Sequence, residues 1–457
     1  MRSYFRMTAG RLLMPVLALL FLFTGLQALE VPVEYHTLDN GLRIVLSPDA
    51  TSPIVVVAVY YNIGFRLEPK GRTGFAHLFE HMMFQGSANV GKFEMVRLVE
   101  SNGGVLNGST RYDFTNYFEV VPAHKLEPML WAEADRMRSL ALTEENLVNQ
   151  KGVVSNEVKN AVLNQPYGGF PWLDLPMAAN VNWVNAHNFY GDLKDLEAAS
   201  LQEVKDFFKT YYAPNNAVVA LVGDFAPAEA LALVRKHFGD IPAQPRPAPA
   251  DLSEPRQEQE KRVVKEDLLA NRPALAFGYH VPERWTPEYF AMGLIDQILL
   301  QGQDSRLYQK LVQEKGVTSS VDGGLNWPLG DMFDYKGPML WSASVFHDAT
   351  TTPEEILALV DEEVNKLGRQ PVEAAVLERA LIKVRSSLYG SVRSFFGFGR
   401  ANLLASLALF DGHPERVNAI EQEFRKVTPD LIQKTAQEYL RPTNRTIIIL
   451  KPKADAK

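Results

Sequence analysis

Cysteine is absent from all 457 residues. Disulfides, thiol catalysis and thiolate metal sites are therefore excluded, and any bound metal must be held by His, Asp or Glu. The chain also lacks a long basic run and carries a net charge of -7, which argues against nucleic acid as its main partner. Long apolar runs are scarce as well. The one near the start, Leu12 to Leu26 behind Arg2, Arg6 and Arg11, is short for a membrane span and has the size of a signal-peptide core. Residues 1–28 thus read as a signal peptide ending at Ala28, with an uncleaved inner-membrane anchor as the alternative. The expected destination is a periplasm.

What the chain does have is apolar content, at 46% hydrophobic, and a length beyond one ordinary core. Two or more globular domains are expected. "LRIVLSP" (Leu42 to Pro48), "PIVVVAVYYNIGF" (Pro53 to Phe65) and "NAVVALVGDF" (Asn216 to Phe225) read as strands, rich in β-branched residues. "GGVLNGSTRYDFTNYFEVVP" (Gly103 to Pro122) reads as a hairpin, and Glu144 to Leu163 and Leu201 to Tyr211 read as helices. "NQPYGGFPWLDLP" (Asn164 to Pro176) reads as a surface loop. The stretch from Gly239 to Lys261, dense in proline and charge, is the best linker.

Beyond that linker the plan repeats. "YYAPNNAVVALV" (from Tyr211) and "YLRPTNRTIIIL" (from Tyr439) share Tyr-x-x-Pro-x-Asn before an apolar strand, 228 residues apart. "AHLFEHMMFQG" (Ala76 to Gly86) matches "MGLIDQILLQG" (Met292 to Gly302). Two motifs in the same order predict a duplicated α+β unit. In this match His77, Glu80 and His81 stand opposite Gly293, Asp296 and Gln297. The second copy keeps the apolar positions and drops both imidazoles, which separates folding positions from chemical ones.

Residues four apart lie on one helix face, so His77 and His81 can present two imidazoles to one metal ion. Glu80 projects beside them, within reach of a water on that metal. This is the H-x-x-E-H pattern. A catalytic zinc takes three protein ligands and keeps one position open. Glu157 borders the apolar stripe Leu147, Val154, Val158, Ala161, where an unpaired carboxylate is costly. From spacing alone it is either a third ligand or a surface glutamate. A two-histidine, one-glutamate set suits zinc and also accepts manganese or cobalt.

These residues resemble the M16 zinc peptidases, over essentially the whole chain after the signal segment. The family pattern is H-x-x-E-H followed some seventy-odd residues later by a glutamate in a V-V-x-x-E-type helix; here Glu157 in "VVSNEV" lies 76 residues past His81. The resemblance implies one Zn2+ per chain on His77, His81 and Glu157, with Glu80 as general base for attack of a metal-generated hydroxide on a peptide carbonyl. It implies an α+β fold of two homologous domains, 29–240 with the zinc site and 262–457 without metal ligands, joined by the linker 241–261. "GGVLNGST" resembles the family's Gly-Gly-x-x-Asn-Ala-x-Thr edge strand, where a peptide adds as an extra β-strand. That implies Gly104, Asn107 and Thr110 as substrate-binding residues.

Three departures accompany the resemblance. Gln150 stands where the family often has a second glutamate, and Val312 and Ser319 stand where active members carry an Arg and a Tyr. The implied enzyme is a metalloendopeptidase acting on unfolded peptides in an enclosed chamber, completed by a homologous subunit that supplies the Arg/Tyr pair. The alternative is a non-catalytic core or scaffold subunit of a heteromeric complex.

Overall fold

Consecutive β-branched and aromatic residues without polar alternation belong in strands buried on both faces, and Val55–Tyr61 is such a run, every side chain fully buried. In the computed structural model, which describes residues 30–453, that run is the heart of a six-stranded sheet. Its strands are β1 (Glu34–Thr37), β2 (Arg43–Pro48), β3 (Ile54–Tyr61), β4 (Val105–Thr110), β5 (Thr115–Pro122) and β6 (Ala217–Gly223), in the order β1-β2-β6-β3-β5-β4. A five-stranded sheet follows: β7 (Lys261–Asp267), β8 (Ala274–His280), β9 (Asp322–Leu325), β10 (Leu340–Phe346) and β11 (Arg445–Pro452), in the order β7-β11-β8-β10-β9. The signal-peptide reading falls on residues outside those described. Among the described residues no helix is long and apolar enough to cross a membrane.

The two sheets carry the same pairing. β2 runs parallel to β6 as β7 does to β11, and the remaining pairs of both sheets are antiparallel. The repeated Tyr-x-x-Pro-x-Asn motif does the same work twice. The Asn216 amide donates to the carbonyls of Tyr211 (2.9 Å) and Asn62 (3.3 Å). The Asn444 amide donates to the carbonyls of Tyr439 (2.7 Å) and His280 (2.9 Å). In each copy the asparagine closes a proline-led 3-10 turn, Pro214–Asn216 or Pro442–Asn444, at the entry of the strand that follows.

Each sheet is covered on one face by a helix drawn from the other half. Helix Phe398–Phe410 packs on β3 and β6, and the Tyr60 hydroxyl donates to Asn402 Oδ1 at 2.7 Å. Reciprocally, helix Asp174–Ala179 packs on β8 and β11. The segment Asn164 to Pro176 is therefore a surface loop only at its start, where Asn164 to Pro166 are exposed. Phe170 and Leu175 are buried against Ala274, Ala276, Ile448 and Leu450 of the second sheet, because small alanines on β8 leave room that these larger side chains fill. The proline-rich stretch before β7 has no helix or strand, yet it is held. Glu254 Oε2 accepts the Asn185 amide at 2.9 Å, and Gln257 donates to the Arg445 carbonyl at 2.8 Å.

Candidate metal centre

The helix carrying the histidines, Phe75–Met82, begins after Gly74 in the left-handed region at φ 84°. Its free N–H groups need acceptors. Buried Glu68 provides them: Oε2 accepts from Gly74 N at 2.8 Å and Oε1 from Ala76 N at 2.6 Å. Burial pushes the Glu68 carboxyl well above the usual carboxylate range. The apolar positions Phe75, Leu78, Phe79 and Met82 enter the first core. That fixes the helix's rotation and turns His77, Glu80 and His81 the other way.

Helix Glu144–Val158 lies against this one, its Leu147, Val154 and Val158 buried in the same core. The packing brings the Glu157 carboxylate to both imidazoles. Oε1 lies 3.4 Å from His77 Nε2 and Oε2 lies 3.2 Å from His81 Nε2. One ligand atom from each of the three residues falls within 4.8 Å of the others. Zinc bonds of about 2.0–2.1 Å in a tetrahedral arrangement put ligand atoms about 3.3 Å apart, so this donor set fits the metal. His77, then His81, hold the Glu157 carboxyl well below the usual carboxylate range. His77 is buried among Phe189, Tyr190 and His81, ring centroids 4.9, 5.2 and 4.9 Å away.

Glu80 sits beside this triad, and its Oε2 accepts a hydrogen bond from the Thr110 hydroxyl at 2.7 Å. Thr110 is the last residue of β4, the edge strand of the first sheet. Of the three positions linked to substrate by resemblance, Thr110 is buried with its hydroxyl on Glu80. Asn107 is exposed, its Oδ1 accepting from Gly108 N at 2.9 Å. Pleat alternation puts it on the opposite sheet face from Thr110. Gly104 lies just before β4, where a Cβ would stand 2.7 Å from both the Val120 carbonyl and Val121 Cγ1.

Two contributors were not legible in the spacing. Glu68 gave no signal beyond being an acid upstream of a helix. Tyr190 donates its hydroxyl to Glu157 Oε1 at 3.2 Å, and its burial, then Glu157 beside it, push the phenol up. It comes from the "NFYGD" turn, which carries no recognisable motif.

The second copy has no room for an imidazole opposite His77. At Gly293, opposite His77, a Cβ would lie 2.9 Å from Phe424 Cε1 and 3.2 Å from Met332. Packing occupies the place of the ring. Asp296, opposite Glu80, accepts from Trp341 Nε1 at 2.7 Å and Gln301 Nε2 at 3.2 Å, and burial pushes its carboxyl up to about 6. Gln150 is buried on the same helix as Glu157, Val312 lies in the helical segment Tyr308–Glu314, and Ser319 is exposed.

Residues 43–167 match the family model described as Insulinase (Peptidase family M16), and residues 198–384 match the model described as Peptidase M16 inactive domain. The chain is 28% identical over 425 residues to the zinc protease PqqE of Helicobacter pylori, covering 92% of this chain and 93% of that one. Among solved structures it is similar to a protease from Helicobacter pylori, with TM-score 0.85, 25% identity and coverage of 92% of this chain and 100% of the other. It also shares its fold with a peptidase M16 inactive domain from Pseudomonas fluorescens, with TM-score 0.81, 18% identity and coverage of 93% and 99%.

Proposed function

The chain belongs to the M16 peptidase family, and from that premise we propose that it is a zinc-dependent endopeptidase subunit acting on unfolded peptides. The observation that carries the reading is the convergence of His77, His81 and Glu157 at a helix that also carries Glu80, whose Oε2 accepts from Thr110. His77, His81 and Glu157 would hold one zinc ion per chain. Zinc there supplies a Lewis acid that makes a water acidic near neutral pH and polarises a carbonyl. Glu80 takes the proton of the water that attacks the peptide carbonyl carbon, and returns it to the amine nitrogen as the C–N bond breaks. The open edge of β4 supports substrate binding by strand addition, in which peptide backbone groups pair with the unpaired N–H and C=O groups of the edge.

Val312 and Ser319 leave the chain without the Arg/Tyr pair that the resemblance calls for. We therefore propose that a homologous subunit supplies it and that the protein works in the periplasm after removal of residues 1–28. The retained metal donors favour this reading over a scaffold role. The test is the purified protein with zinc and an unstructured fluorogenic peptide, alone and mixed with a homologous subunit, with Glu80→Gln as control. Cleavage that vanishes in the control supports the proposal. Cleavage by the chain alone overturns the partner requirement, and failure to bind zinc overturns the site.

A further inference from the structure

We infer that Thr110 is a positioning residue for Glu80, so that the strand which receives the substrate also sets the direction of proton transfer; this rests on the peptidase reading above. Thr110 Oγ1 stands 2.7 Å from Glu80 Oε2. The carbonyl of Ala76, at 3.5 Å, is its other acceptor. A hydroxyl has one proton, and the shorter, charge-assisted bond to the carboxylate takes it. With Oε2 engaged as an acceptor, the free oxygen of Glu80 is Oε1, and the proton of the attacking water goes there. The bond survives the transfer. A protonated Oε1 leaves Oε2 as a carbonyl oxygen that still accepts from Thr110. Oε1 then gives the proton to the leaving nitrogen and the carboxylate returns to its starting state.

The hydroxyl is held from behind. Thr110 is almost fully buried, and the β4–β5 turn that follows it is anchored to the second half of the chain. Asp113 Oδ2 accepts from the backbone N–H of Lys336 at 2.7 Å, while Asp113 Oδ1 lies 3.5 Å from Arg66 Nε. Arg66 in turn donates to the Pro338 carbonyl at 2.8 Å. A donor fixed on a sheet edge in this way restricts the rotamers of Glu80.

The test, on the chain mixed with its homologous subunit, compares Thr110→Val, which keeps the shape and removes the hydroxyl, with Thr110→Ser, which keeps the hydroxyl. Thr110→Val is expected to lower kcat by about ten- to a hundredfold with KM and zinc content unchanged, and Thr110→Ser to recover most of the loss. Wild-type kcat in Thr110→Val overturns the inference. So does a rise in KM at constant kcat, which would put Thr110 on the peptide, and so does Thr110→Ser behaving like Thr110→Val, which would make the role one of packing. If the wild-type protein binds zinc but cleaves nothing even with the homologous subunit present, the peptidase reading has failed instead. Crystal structures of wild type and Thr110→Val then decide the positioning role: a displaced Glu80 carboxylate supports it and an unmoved one overturns it.

Discussion

The backbone N–H of Ala76 donates to Glu68 Oε1 at 2.6 Å, so a buried carboxylate eight residues upstream closes the first turn of the helix that bears both histidines. Glu68→Ala leaves two buried N–H groups without an acceptor. The expected loss is about 2 kcal/mol of unfolding free energy in the zinc-free protein, with weaker zinc binding. Glu68→Gln keeps one acceptor oxygen and is expected to lose less. Urea denaturation and chelator competition measure both, and equal stability of Glu68→Ala and wild type would remove the cap from the account.

The Tyr190 hydroxyl reaches the centre through Glu157. Tyr190→Phe removes one hydroxyl 3.2 Å from Oε1 and leaves the ring against His77. Outer-shell partners of metal ligands orient them, so zinc affinity is expected to fall about tenfold with the far-ultraviolet circular dichroism unchanged. Unaltered affinity would show that the two imidazoles position Glu157 unaided.

Gly293 is a packing residue, and a second metal centre cannot be rebuilt there. Gly293→Ala sets a methyl 2.9 Å from Phe424 and is expected to cost about 1–3 kcal/mol. Gly293→His combined with Gln297→His is expected to leave zinc stoichiometry unchanged by elemental analysis. A second equivalent of zinc in that variant would contradict the packing argument.

Asp296 gives a pH signature of opposite sign to an ion-paired acid. Burial raises its carboxyl to about 6 from 3.8. The folded state therefore binds its proton more tightly than the unfolded state does, and this contribution to stability is present at low pH. It is lost as pH rises from about 4 to about 6. Asp296→Asn keeps the acceptor for Trp341 and removes the titration. The variant is expected to lack that loss, gaining on the order of 2–3 kcal/mol relative to wild type between pH 4 and pH 7. Parallel stability profiles for the two proteins would show that the carboxyl is not desolvated.

Some of this protein was determined by local sequence alone. Absence of cysteine limits a metal to His, Asp and Glu. The four-residue spacing of His77 and His81 gives a shared helix face, with Glu80 beside it. The twice-used Tyr-x-x-Pro-x-Asn turn marks the duplication, because its hydrogen bonds run between residues five apart. Periodicity and short-range turns follow from backbone geometry, which every sequence window carries within itself.

Only the tertiary structure decided the rest. Glu157 is an amphipathic-helix glutamate until the two helices pack and bring its oxygens to both imidazoles. Thr110 meets Glu80 across 30 residues, and Tyr190 meets Glu157 across 33. Segment 164–176 looks like a loop because of its prolines and glycines, yet its Phe170 and Leu175 are buried because the second sheet presents small residues that need covering. Hydroxyls, caps and cover segments of this kind depend on which surfaces meet, and that choice is made by the packing of whole sheets and helices.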